Sequence, residues 1–184
     1  MSANISLYQV TSVLLLDNEG HRLFAKYYHD EDHASLAQQR KFEQTLFPKI
    51  NKVNEDILLY DNHLVAYKQV NDVLVVVVAK INENESLIYS VCANLTEALT
   101  ILLDNSLDKN TVVEKYDMVS LAIDETVDDG IIIEIDPAII VSRVTNPPVA
   151  NAVDNIKIDI SERGLFNAFS FATKKIGERL QQGI

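Results

Sequence analysis

The spacing of apolar residues changes several times along the chain, and each change marks an element. Val, Leu and Ile dominate from Ile5 to Asp17. Asn18-Glu19-Gly20 can then turn the chain, because glycine accepts positive φ. Leu23, Phe24, Ala25, Tyr27 and Tyr28 read as the returning strand of a hairpin. Leu36, Phe42, Leu46, Phe47, Ile50 and Val53 next recur at helical spacing, which predicts a helix over about Ser35 to Val53. Pro48 lies inside that pattern and removes one hydrogen bond, so a kink or interruption is expected there.

Asp56 to Ile81 reads as a meander. Ile57 to Tyr60 is followed by a turn at Asp61-Asn62, then by His63 to Gln69, a turn at Asn71-Asp72 and the run "VLVVVVAKI". Connections this short force antiparallel neighbours, because a parallel crossover needs a dozen or more residues. Every position from Val73 to Ala79 is apolar, the pattern of a strand buried on both faces. Something must therefore cover both sides of the sheet.

The helical pattern resumes from about Glu85 to Asp104, with Ile88, Val91, Leu95, Leu99 and Leu102 as one stripe. Burying these five contributes at most about 7–15 kcal/mol, at about 1.5–3 per side chain. A further helix is predicted from Thr111 to about Asp129, with Thr111 and Glu114 as a capping box, Val112, Tyr116, Val119, Ile123 and Val127 as its stripe, and Gly130 as its stop. Ile131 to Ile135 reads as extended. Asp136-Pro137 reads as cap and first-turn proline of a short helix to about Val144. The expected organisation is a domain over residues 1–144, a linker over 145–160 containing Asn146-Pro147-Pro148, and an amphipathic helix within 161–184. That last helix places Leu165, Phe169, Ala172, Ile176 and Leu180 on one face, with Phe166 and Phe171 beside them.

Composition narrows the function. The 184 residues are 47% hydrophobic, enough for a substantial core, and the net charge of −11 disfavours nucleic acid and anionic lipid as direct partners. With Cys92 as the one cysteine, no intramolecular disulfide can form, which fits a reducing compartment. The N-terminus has no basic segment leading into an apolar run, Ser2 replaces the glycine that myristoylation requires, and no prenylation box ends the sequence. Val73 to Ala79 is far shorter than the roughly 20 residues of a membrane span. A cytosolic protein is expected, with the sequons at Asn4, Asn84 and Asn94 unused.

Candidate chemistry is sparse. His29 and His33, four apart with Asp30, Glu31 and Asp32 between them, suit a helical metal pair only if both rings lie on a formed helix. The segment joins a strand to a helix, so the acids read instead as helix-start residues favoured by the dipole. Asp17 to Gly20 reads as a turn, and His21 and His63 as solvated residues at strand starts. Cys92 falls near an apolar stripe and reads as a small buried hydrophobe. Five glycines form neither a dinucleotide fingerprint nor a phosphate loop, and no Gly-x-Ser-x-Gly elbow occurs. Seven acids and no base lie between Asp117 and Asp136: a solvated face, or a dock for a basic partner. The last helix is basic by comparison, with Arg163, Lys174, Lys175 and Arg179 against Glu162 and Glu178. Its Phe-rich face has three available covers: its own domain, a partner, or a membrane surface.

The hairpin "LLLDNEGHRLFAKYY", the helix segment "QQRKFEQTLFPK", the stretch "AIDETVDDGIIIEIDPAIIVSRV" and the order of elements resemble the coatomer zeta family. The likeness covers about residues 5 to 144, together with the idea of a C-terminal helix. It is more specific than the likeness to the sigma subunits of clathrin adaptors, which share the hairpin and differ after Gly130. The resemblance implies an α+β, longin-like fold: a five-stranded antiparallel sheet with one helix on one face and two on the other. It also implies a non-catalytic subunit of the COPI coat, without metal or cofactor. Such a subunit is held by the gamma subunit, has beta and delta as the companion pair, and is recruited to the cytosolic face of Golgi membranes by an Arf-type GTPase for transport back to the endoplasmic reticulum. Partner contacts are expected at Phe42 and Phe47, which lie at opposite margins of the first helical stripe, and at Phe166, Phe169 and Ile176. Truncating Phe42 and Phe47 together is expected to weaken gamma binding with little loss of stability. The competing readings are a sigma-type clathrin adaptor subunit that recognises sorting signals, and a small metal protein built on His29 and His33.

Overall fold

The computed structural model describes residues 9–28, 34–50 and 56–146. They belong to one unit that ends at Asn146. The expected linker beyond that point, the final helix and the His29–His33 segment lie outside the described residues.

The hairpin forms as its pattern predicts, from β1 (Val10–Asp17) and β2 (Arg22–Tyr27). α1 (Leu36–Ile50) follows, then the meander β3 (Ile57–Tyr60), β4 (His63–Val70) and β5 (Val73–Lys80). All neighbours are antiparallel, and the sheet order is β2-β1-β5-β4-β3. The meander turns need left-handed backbone, and short polar residues supply it: Asp61, Asn62 and Asn71 have φ of 47°, 60° and 51°.

β1 and β5 pair at the centre of the sheet, and every residue of β5 from Val73 to Ala79 is buried. Alternation divides the sheet's side chains between two cores. Leu14, Leu16, Val65, Tyr67, Leu74, Val76 and Val78 face Phe42, Leu46 and Ile50 of α1. Val13, Leu15, Leu64, Ala66, Val73, Val75 and Val77 face the opposite way. There they meet α2 (Glu85–Leu102) through Ile88, Val91, Leu95 and Leu99, and also α3 (Lys109–Glu114), α4 (Tyr116–Thr126) and α5 (Pro137–Thr145). The fold is a longin-like α+β sandwich. The two helical covers expected on the second face are α2 and the α3–α4 pair, with α5 packed against both α2 and α4.

Three sequence expectations change. α1 runs two residues beyond Pro48, to Ile50. In the last turn the proline forfeits one hydrogen bond without ending the helix. The helix expected from Thr111 to Asp129 starts earlier and is divided. Its cap is Asp108, whose carboxylate accepts the Thr111 N–H at 3.0 Å, and it breaks at Lys115 (φ −105°, ψ 37°). It also ends at Thr126, because residues 127–132 form a small hairpin, β6 (Val127–Asp128) and β7 (Ile131–Ile132). Asp129 (φ 49°) and Gly130 (φ 82°) turn that hairpin, and the Gly130 carbonyl accepts the N–H groups of Gln9 and Val10 at 3.0 Å. A Cβ on Gly130 would lie 2.8 Å from the Val10 carbonyl oxygen, so this docking onto the start of β1 requires glycine. Asp136 caps α5 as expected, accepting the N–H groups of Ala138 and Ile139, with Pro137 at the first position.

Candidate functional site

The opening hairpin turn contains a carboxylate hub. The Asp17 side chain is fully buried. Its Oδ1 accepts the backbone N–H groups of Glu19 (2.9 Å) and His21 (2.8 Å), and its Oδ2 accepts the Lys109 ammonium at 2.8 Å. The His21 Nδ1 lies 3.3 Å from the same Oδ2. Burial alone would raise the Asp17 pKa. The Lys109 hydrogen bond, the two backbone donors and the His21 ring outweigh burial and hold the carboxyl well below the usual range. Asp17, Glu19 and His21 place ligand atoms within 4.8 Å of one another, as a cation site would. Each Asp17 oxygen is already engaged by protein donors, so the chemistry here is that of a structural joint. Lys109 opens α3, and its own N–H donates to Asp72 Oδ1 at 3.0 Å. The β1–β2 turn, the β4–β5 turn and the start of α3 are thereby tied together at one end of the sheet.

A cleft of about 550 Å³ opens beside this joint, between the turn and the outer side of α1. Its walls are Glu19, Gly20, His21, Arg22, Arg40, Glu43, Gln44, Phe47 and Pro48. Glu43 is buried on α1 and takes Arg22 of β2 as a two-pronged partner, Nε to Oε2 at 2.9 Å and Nη2 to Oε1 at 2.6 Å. Tyr27 Oη donates to the same Oε1 at 2.9 Å. Gly20 adopts φ +83° against the Phe47 ring, and a Cβ at Gly20 would come within 2.7 Å of it. The cleft combines an aromatic wall with Arg40, which is exposed, and among the described residues it holds no assembled nucleophile, base and orienting acid.

The structure separates the sequence candidates. Phe42 is 3% exposed, packs in the α1 core and meets the His63 and Tyr60 rings at 5.9 Å. It leaves little surface for a partner, so truncating it cannot spare stability. Phe47 is half-buried at the cleft. Phe166, Phe169 and Ile176 lie outside the described residues, as do His29 and His33. His63 is buried, not solvated, and its Nδ1 lies 2.7 Å from the Asp61 carbonyl oxygen. His21 is exposed, as expected. Cys92 is fully buried with its Sγ 3.7 Å from the Val75 carbonyl oxygen, and burial pushes its thiol up to about 12. Cys92 packs as a small buried hydrophobe, as the sequence pattern predicts.

The acidic stretch from Asp117 to Asp136 is partly spoken for. Asp124 pairs with Lys26 at 2.6 Å, Arg143 bridges Glu125 and Glu134 at 3.3 and 3.4 Å, and Asp136 caps α5. Sequence reasoning missed Glu43 and Asp17 as buried acids. Glu43 sits beside Phe42 in the α1 stripe, and a lone acid at the margin of an apolar face was the available signal. Among the described residues no helix is long and apolar enough to cross a membrane.

Comparison with known proteins places these features in a family. Residues 9–150 match the clathrin adaptor complex small chain family. The coatomer zeta subunit of Saccharomyces cerevisiae is 40% identical, over 99% of this chain and 100% of its own length. Coatomer zeta-1 of Homo sapiens is 38% identical over 76% of this chain and 78% of its own length, and zeta-1 of Oryza sativa is 33% identical over 93% and 96%. The fold resembles a chain in a homology model of the full-length AP-3 complex in a stretched open conformation, with TM-score 0.60, 16% identity, and coverage of 73% and 90%. The family model over residues 9–150 and these relatives together show that the chain belongs to the clathrin adaptor complex small chain family, within its coatomer zeta group.

Proposed function

We propose that the chain is a non-catalytic structural subunit of the COPI vesicle coat, pairing with the gamma subunit for retrograde transport from the Golgi to the endoplasmic reticulum. The observation that carries this reading is the match to a curated coatomer zeta over essentially the full length of both chains. The described residues support it. Their buried acids serve packing, their one cysteine is sealed in the core, and their cleft presents an aromatic wall suited to contact. In this role the beta and delta subunits are further neighbours. An Arf-type GTPase and the Golgi membrane are reached through the assembly.

A stable complex of this kind buries roughly 1,200–2,000 Å² or more. Phe47, at the cleft, and Phe166, Phe169 and Ile176, in the C-terminal segment, are the proposed contact residues. Phe42 is assigned to the core. The deciding experiment is purification of the tagged chain from cell extract, with the companions identified by mass spectrometry. Stoichiometric gamma coatomer is the expected result. A clathrin adaptor large chain in its place, or a lone monomer, would overturn the reading.

A further inference from the structure

The two edges of the five-stranded sheet are built differently. β2 carries Arg22 and Lys26, engaged by Glu43 and Asp124. Charged residues on an edge strand discourage further pairing. β3 reads Ile57-Leu58-Leu59-Tyr60, with neither charge nor proline. Its register fixes which backbone groups are open among the described residues. Tyr67 N–H donates to the Asp56 carbonyl at 2.9 Å, and Tyr60 and His63 flank a two-residue turn in which both residues have positive φ. Bonded and non-bonded pairs alternate in an antiparallel ladder, so Leu58 and Tyr60 bond to β4 while Ile57 and Leu59 turn their N–H and C=O groups outward. The Leu59 side chain is 61% exposed. It shares the α2 side of the strand with Ile57, whereas α2 itself packs over β4 and β5.

An open row of alternating donors and acceptors selects extended backbone as its occupant. Exposed Asp56 and Asp61 flank the strand and favour Lys or Arg at the ends of whatever pairs with it. We infer that the outer edge of β3 receives an extended apolar segment of a larger coat subunit, flanked by basic residues, as a sixth strand. The inference rests on the coat reading above. It locates that contact on β3 and not on the charge-guarded β2 edge.

The test is amide hydrogen exchange at Ile57 and Leu59, in the isolated full chain and in its complex with co-expressed gamma coatomer. Both amides exchange fast in the isolated chain and slow by on the order of 100-fold in the complex. Two variants accompany the measurement. Ile57→Pro removes an outward N–H at the first residue of a strand, where proline is accepted. Leu59→Lys adds a guarding charge. Leu59→Lys leaves the thermal midpoint of the isolated chain unchanged, Ile57→Pro lowers it through the lost packing of a half-buried side chain, and both weaken association by about tenfold or more. If the chain does not assemble with gamma at all, the coat reading itself fails. If it assembles while the two amides exchange as fast as before, the coat reading stands and the edge inference is overturned. Slow exchange in the isolated chain also overturns it, in favour of a second copy if protection fades on dilution, and of a segment of the same chain if it does not.

Discussion

Lys109 Nζ lies 2.8 Å from Asp17 Oδ2, across 92 residues of sequence, and joins the start of α3 to the end of β1. The carboxylate is buried and the ammonium is half exposed, so the two ends of the pair are not equivalent. Removing Lys109 leaves Asp17 with its backbone donors. Removing Asp17 strips two turn N–H groups and the ammonium of their acceptor at once.

Asp17→Asn keeps an acceptor for the two turn N–H groups but sets a neutral amide against the Lys109 ammonium, and should destabilise the chain at neutral pH by about 2–4 kcal/mol, with Lys109→Met costing less. The pH dependence follows from the direction of the Asp17 shift. Its folded-state pKa is depressed below the ordinary 3.8, so the contribution is fully present above that value. It falls as the pH drops below 3.8 and disappears once the pH passes the folded-state value. Urea midpoints of wild type and Asp17→Asn should keep their separation from pH 7 to about 4 and converge as the pH is lowered from 3.8 towards 2. A gap that stays constant over that range would contradict the assignment.

The Arg22–Glu43 pair offers a second test. Glu43 has 4% of its side chain exposed and Arg22 has 26%, so the acid bears most of the desolvation. Arg22→Met leaves a buried carboxylate held by Tyr27 alone and should cost about 2–4 kcal/mol. Glu43→Leu frees a guanidinium that can reach water and should cost less, about 1–2 kcal/mol. The double variant should recover much of the loss, because apolar replacement of a buried pair is often neutral. Chemical denaturation of all four proteins, read as a double-mutant cycle, checks the coupling.

How much of this was legible in the sequence depends on where each interaction originates. The meander, the α2 stripe, the Asp136-Pro137 start and the two-faced burial of β5 follow from local pattern, and they appear as predicted. The early start of α3 and the early end of α4 were not legible. They depend on Asp108, one turn upstream of the expected cap, and on the Gly130 carbonyl bonding to Gln9 and Val10 some 120 residues away. The same holds for the site. The Asp17 turn was readable as a turn, but its partner Lys109 arrives from another element. Phe42 sits at the margin of its stripe when α1 is considered alone. It becomes core because β4 and the Tyr60 and His63 rings close over it.

Cys92 gives a simple chemical prediction. Its thiol is fully buried and pushed up to about 12, so almost no thiolate exists at pH 8 and no reagent reaches it. Iodoacetamide should leave the native chain unmodified at pH 8 and alkylate one site in denaturant, as measured by intact mass. Rapid native labelling would place Cys92 at the surface and overturn the packing of α2 on β5.

Gly20 and Phe47 supply the last prediction, because two separate strains meet at one position. An alanine at Gly20 must adopt φ near +83° and must place its Cβ within 2.7 Å of the Phe47 ring. The first strain costs about 1–2 kcal/mol wherever the ring lies. The second exists only while the ring is there, and overpacking of this kind adds about 1–3 kcal/mol. Gly20→Ala in the wild-type background should therefore cost more than Gly20→Ala in a Phe47→Ala background, where the backbone term alone remains. Thermal midpoints of the four proteins measure the difference. Equal costs in both backgrounds would mean that Phe47 swings clear of the turn, and the ring would then be free to reorient at the cleft when a partner arrives.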